Sequence, residues 1–208
     1  MKPAQITVVR DGLFTSRRLA ADITETVPTA QRLVKEHLGR RPLTTVEVVI
    51  TSTARIAMLA TKAQGAAAGL KPEVWRGKTL TLTSRPRDLY AVAVIAPRNT
   101  IRVLVNSSRL HRREREIGAT LVWAFVEVDQ LCRKGAWDHR LALTRHELGA
   151  SVLPKRKARA LYRVEAAWEA EAEKVTGQIV GKVIRQNQQA EAAAEREAAG
   201  TTASQGAA

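Results

Sequence analysis

Residues 116–132 read EIGATLVWAFVEVDQLC, and within them Trp123, Ala124 and Glu127 stand at the spacing of a helical metal motif. In the arrangement H-E-x-x-H, histidines at i and i+4 lie one turn apart on a helix, so both imidazoles reach one zinc at about 2.1 Å. The intervening glutamate takes a proton from the metal-bound water. Here the first ligand position is Trp123, whose indole N–H only donates, and the base position is Ala124, which accepts no proton. Glu127 is able to ligate, but a single carboxylate does not hold zinc. These residues predict a helix with no metal and no catalytic residue, and no cofactor is implied.

Other candidates for chemistry are weaker. The stretch RHELGA (145–150) carries His146 and Glu147, half of the same motif, but the second histidine would have to stand at Ala150. His139 and His146 are seven residues apart, on one face of a helix but two turns distant, and no nearby Asp or Cys completes a site. An active metal-dependent hydrolase built on them is the least supported alternative. The stretch GAAAGLKP lacks the spacing and the Lys-Ser/Thr ending of a phosphate loop, and no GxSxG elbow occurs. Cys132, the single cysteine, excludes an intramolecular disulfide and reads as a small core residue.

Charge is the strongest compositional signal. The chain carries a formal +14 over 208 residues. Residues 1–100 hold 16 Lys+Arg against 7 Asp+Glu, residues 101–160 hold 13 against 6, and residues 161–208 hold 5 against 7. Such a field favours a polyanion, whether nucleic acid, an acidic protein or an anionic surface. Two runs concentrate it. Arg109, Arg112, Arg113 and Arg115 precede the helix at 116–132, and Lys155, Arg156, Lys157 and Arg159 open a later one. Arginine forks suit phosphate oxygens, and cations at a helix N-terminus oppose its dipole, which hints at a role other than helix stability for the second run. The plainer alternative is a solvated face, partly neutralised in the first run by Glu114 and Glu116. With 4% aromatics there is no base-stacking platform, so contact with nucleic acid would be non-specific.

These residues must be positioned by elements legible in the hydrophobic periodicity. A strand is expected at 5–10 and a helix at 16–38 with Leu19, Ile23, Val27, Ala30, Val34 and Leu38 on one face. Pro28 predicts a kink in it or a division into two helices. A strand follows at 44–52, a helix from Ser52 or Thr53 to about Ala68, and a loop at 73–88 with room for a short strand at 78–83. YAVAVIAP (90–97) and TIRVLVNS (100–107) predict an antiparallel hairpin. After the helix at 116–132, a further segment spans 138–150 and a long Ala/Glu/Arg helix starts at Pro154. That helix is expected to dock through Leu161, Val164 and Trp168 and to project or fray beyond Gly177.

The order helix, strand, helix, strand pair, helix, with IRVLVNSSRL as its last strand and ATLVWAFVEVDQL as its helix phrase, resembles the small zincin-like metallopeptidases of the minimal gluzincin type. In that family the helix phrase reads TLxHELxHxxQL. The likeness covers roughly residues 44–135 and rests on order and hydrophobic phrasing, because the diagnostic residues are absent. It implies a degenerate member, a pseudo-metallopeptidase, with Trp123 and Glu127 at ligand positions and Ala124 at the general-base position. A core helix beside a strand pair accounts for the same pattern without that ancestry.

The expected architecture is therefore α+β, a small and mostly antiparallel sheet with helices packed on one side and a long C-terminal helical extension. Residues 1–150 would form the zincin-like domain, 151–199 the extension and 200–208 a disordered tail. No apolar run of bilayer length occurs, and Arg10 interrupts the N-terminus before a signal-peptide core forms, so a cytoplasmic protein without membrane partners is expected. The expected function is a non-catalytic binding or accessory protein, with non-specific nucleic-acid binding as the alternative.

Overall fold

The computed structural model describes residues 6–12, 16–39, 44–80, 89–111 and 113–205, with side chains for all of these except 114 and 195–205. Strand β1 (Ile6–Arg10) leads to helix α1 (Arg17–Leu38). The Ser16 hydroxyl accepts the Leu19 amide at its start, and Gly39, at a φ of 66°, ends it in the left-handed region that glycine adopts without strain. α1 is one helix, not two. Leu19, Ile23 and Val27 before Pro28, and Ala30 and Val34 after it, all bury against the same core. Burial at roughly 1.5–3 kcal/mol per large side chain outweighs the ~3 kcal/mol cost of an interior proline.

Strand β2 (Thr45–Thr51) and helix α2 (Thr53–Ala67) follow, then a single helical turn α3 (Pro72–Trp75). Of the short strand expected at 78–83, residues 78–80 are irregular and 81–83 lie outside the described residues. β3 (Ala91–Ala96) and β4 (Thr100–Asn106) form the expected hairpin, with both Arg98 and Asn99 at positive φ in its turn. One turn, α4 (Ser107–Leu110), and a 3-10 turn lead into α5 (Ile117–Leu131). α6 (Ala136–Glu147) and the 51-residue α7 (Lys155–Gln205) complete the chain. The expected tail at 200–208 begins as helix: α7 continues through Gln205, and 206–208 lie outside the described residues.

The sheet has the order β1-β2-β4-β3. β1 runs parallel to β2 with Val8 beside Val48, β2 runs parallel to β4 with Val48 beside Val103, and only β3 is antiparallel to β4. The expectation of a mostly antiparallel sheet is thus corrected, for a topological reason. The α1 connection brings β2 in parallel to β1, whereas β3, reached from β2 through α2 and α3, runs the opposite way at the edge, and the tight hairpin turns the chain back so that β4 lies between them, parallel to β2.

The expectation of helices on one side is corrected too. Val46, Val48, Ile50, Ala93, Ile95 and Val103 meet α1, α5 and α7 on one face. Val49, Val92, Val94 and Leu104 meet Ile56, Ala60 and Ala63 of α2 on the other. The near-continuous apolar runs of β3 and of the end of β2 are what a sheet covered on both faces requires.

α7 docks further along than its sequence suggested. Ala172, Val175 and Ile179 enter the core, whereas Val164 is exposed and Leu161 and Trp168 are half-buried. A polar clamp sets this register: Arg133 grips both carboxylate oxygens of Glu171 at 2.7 Å, and the Gln130 side chain donates to the Trp168 carbonyl at 2.8 Å.

Candidate functional site

α5 is apolar nearly all round, as befits a helix buried on most sides. Ile117, Leu121, Ala124, Phe125 and Val128 face the core, and Ala124 is fully buried there. A different stripe, Glu116, Ala119, Thr120, Trp123 and Glu127 at intervals of three and four, lines a cleft of about 420 Å³. Leu89, Tyr90 and Ala91, at the start of β3, form its second wall, and Glu169 and Thr176 of α7 form the third. Of the three motif positions, Trp123 and Glu127 face the cleft, while Ala124 is not among the described residues lining it.

The geometry of β3 explains where Glu127 goes. The Asn106 amide donates to the Tyr90 carbonyl, so these two are a hydrogen-bonded pair. Along an antiparallel ladder such pairs alternate, so Ala91, Ala93 and Ile95 turn their backbone groups away from β4. β3 is the sheet edge, and the outward amide of Ala93 donates to Glu127 Oε2 at 2.8 Å. Burial pushes the Glu127 carboxyl from 4.5 up to about 7, against the opposing pull of the Ala93 amide, the Arg140 charge and a hydrogen bond from Trp123; the Glu165 charge adds to the rise. Close to neutral pH this group is therefore divided between its acid and its anion.

Next to Glu127 the space narrows to about 20 Å³ where α6 and α7 close over the β3 edge. Glu165 there is held by Arg140 at 2.5 Å and by His139 Nε2 at 2.8 Å, and the His139 ring lies 5.0 Å from that of Trp168. Beyond the closure a second cavity of about 190 Å³ opens between α2, α6 and α7. His139 thus pairs with a carboxylate across two helices. His146 sits apart, its Nδ1 3.4 Å from the Leu153 amide and the Ser151 carbonyl. The structure does not bring the two histidines into one centre, and among the described residues no three His, Cys, Asp or Glu side chains are grouped to hold a metal ion.

The two basic runs behave differently. In the first, Arg109 lies over the Tyr90 ring at 5.5 Å, and Arg113 bonds the Tyr90 hydroxyl at 2.7 Å and Glu116 at 3.0 Å. Arg115 is exposed, and Arg112 lies outside the described residues. In the second, Lys155, Arg156, Lys157 and Arg159 are all exposed around the first turn of α7. Fourteen residues of helix, ~21 Å, separate Lys155 from Glu169, so this patch is remote from the cleft.

Sequence reasoning placed Trp123 and Glu127 but missed Tyr90, Glu165, Glu169 and Thr176. In an Ala/Glu-rich helix Glu165 and Glu169 read as solvated. The one available signal was that they stand a turn apart and flank Trp168. Among the described residues no helix is long and apolar enough to cross a membrane. No protein-family model, no curated protein and no solved structure matches the chain.

Proposed function

We propose that the chain is a non-catalytic binding or accessory protein on a metal-free, zincin-like scaffold, and that its ligand occupies the cleft between α5, the β3 edge and α7. The observation that carries this reading is the environment of Glu127. The one motif residue able to ligate already accepts the Ala93 amide, and its neighbour on the same face, Trp123, turns an indole toward an open cavity. The order α1, β2, α2, β3, β4 ahead of α5 supports the scaffold. Elemental analysis of untagged protein, with a peptidase assay, tests it. The expected result is no stoichiometric zinc and no hydrolysis, and one zinc per chain with peptide cleavage overturns it.

A second reading, non-specific binding of nucleic acid or of an acidic protein, rests on Lys155, Arg156, Lys157 and Arg159. Four exposed cations surround the positive end of a helix dipole, with no ion pair among the described residues. Its test is the affinity for labelled duplex DNA as salt is raised. Affinity that is indifferent to salt, or that survives alanine at all four positions, removes it.

A further inference from the structure

We propose that the cleft beside α5 is a site for an organic cation, an ammonium group carried on an apolar or aromatic body, with Glu127 and Glu169 as counter-charges and the Trp123 indole as the wall against which the cation rests. The inference rests on the reading of the cleft as a binding site and adds the chemical class of its occupant.

Charge is the first observation. The chain carries +14, yet three glutamates and no lysine or arginine line this cleft among the described residues. A concave site with low-dielectric walls focuses the field of its own lining charges, so the interior opposes the field of the rest of the molecule. The glutamates are not equivalent. Glu116 is paired with Arg113 at the rim. Glu169, half-buried on α7, has no ion pair among the described residues, and Glu127 is half-buried, bonded to the Ala93 amide and the Trp123 indole. A carboxylate out of water without a cation is costly, and a ligand ammonium supplies what the protein leaves out.

The lining is the second observation. Leu89, Ala91, Ala119 and the ring of Trp123 give apolar walls, and about 420 Å³ lies within the range of roughly 300–1,000 Å³ typical of small-ligand pockets. Tyr90 already receives Arg109 and Arg113 at its ring, so the indole of Trp123 is the aromatic surface left for a ligand cation. On the opposite wall stands Thr176, whose buried hydroxyl has no hydrogen-bond partner among the described residues.

Protonation of Glu127 would neutralise this preference. The other charged and titratable groups near it are Arg140 and His139 of α6, Glu165 and Glu169 of α7, and, at the mouth, Glu116 with Arg109 and Arg113. Arg140 and His139 of α6 are both held by Glu165, and Glu127 is the carboxyl of the cleft lining that burial raises toward neutrality. Binding of a cation of fixed charge should therefore strengthen as pH rises from about 6 to about 8.

The test is calorimetric titration of the full chain, with tryptophan fluorescence alongside, using three probes of one shape: phenethylamine, 2-phenylethanol and phenylacetate. The expected result is that phenethylamine binds at least about tenfold more tightly than the alcohol, and phenylacetate more weakly than either. Glu127→Gln keeps an oxygen for the Ala93 amide, so the fold is retained; it should remove most of the amine preference while leaving the alcohol's affinity unchanged. Glu169→Gln should reduce the preference part-way, and Trp123→Ala should weaken amine and alcohol together. A trimethylammonium analogue of phenethylamine should gain affinity between about pH 6 and pH 8 in the native chain and not in Glu127→Gln. Equal binding of amine and alcohol, or a preference undiminished in Glu127→Gln, overturns the cation assignment while leaving the cleft as a binding site. No binding of any probe overturns both. Stoichiometric zinc with hydrolysis overturns the scaffold reading independently.

Discussion

At the scale of single residues, Glu127 is the most consequential side chain in the molecule. Its carboxyl is raised from 4.5 to about 7 in the folded chain by burial. Such a group favours folding fully at pH values below its unfolded value, and that contribution is lost as pH rises through the folded one. The shift corresponds to at most ~3 kcal/mol. Glu127→Gln, which mimics the protonated acid, should accordingly leave stability near pH 4 unchanged. By pH 8 it should raise stability by about 1–3 kcal/mol. Denaturant unfolding of both proteins across that range checks it, and parallel profiles would show that Glu127 does not titrate as described. Glu127→Ala should instead cost about 1–3 kcal/mol at low pH, because the outward Ala93 amide then loses its acceptor in a covered strand edge. At this scale the departure from the metal motif was legible from residue types alone, since no fold can give Trp123 a lone pair or Ala124 a proton acceptor. The partner of Glu127 was not legible, because the amide it meets lies 34 residues away on a strand whose orientation had first to be decided.

Among the elements, α7 shows where periodicity stops informing. Leu161, Val164 and Trp168 have the same spacing as Ala172, Val175 and Ile179, and a helix pattern does not say which turn of a 51-residue helix meets the core. The Arg133–Glu171 clamp and the Gln130 hydrogen bond decide it. Ile179→Ala should therefore destabilise by about 2–4 kcal/mol, as a core truncation does. Ile184→Ala, at a position 52% exposed, should change stability by no more than about 0.5 kcal/mol. Equal effects in chemical denaturation would mean that α7 docks in another register. β3 teaches the converse lesson. Its run predicts only one arm of a hairpin, and its edge is covered where α6 and α7 approach it with the Arg140–Glu165–His139 pairing, which local pattern does not contain.

For the whole molecule, net charge and its distribution set what approaches. The exposed patch Lys155, Arg156, Lys157 and Arg159 is the part of the positive field best placed to meet phosphates, whereas Arg109 and Arg113 are engaged by Tyr90 and Glu116. If nucleic acid is the partner, replacing the four cations with alanine should flatten the plot of log affinity against log salt by about 0.9 for each phosphate no longer neutralised. Replacing Arg109 and Arg113 should do less. The fluorescence of a labelled duplex at several salt concentrations measures both, and an unaltered slope in the fourfold variant would assign the positive field to some other surface.

The sequence by itself determined the positions of the main helices and strands, the hairpin around Arg98 and Asn99, the departure of residues 123–127 from the metal motif and the excess of positive charge. These are local or compositional properties, set by side-chain type and by periods of two and about 3.6. Tertiary structure alone decided the parallel direction of most of the sheet, its coverage on both faces, the turn at which α7 docks and the acidic character of one cleft in a basic protein. Each of these depends on pairing groups tens of residues apart, such as Glu127 with Ala93, Arg140 with Glu165 and Gln130 with Trp168. Such pairings are selected by the burial and desolvation of the whole core, which no local window of residues contains.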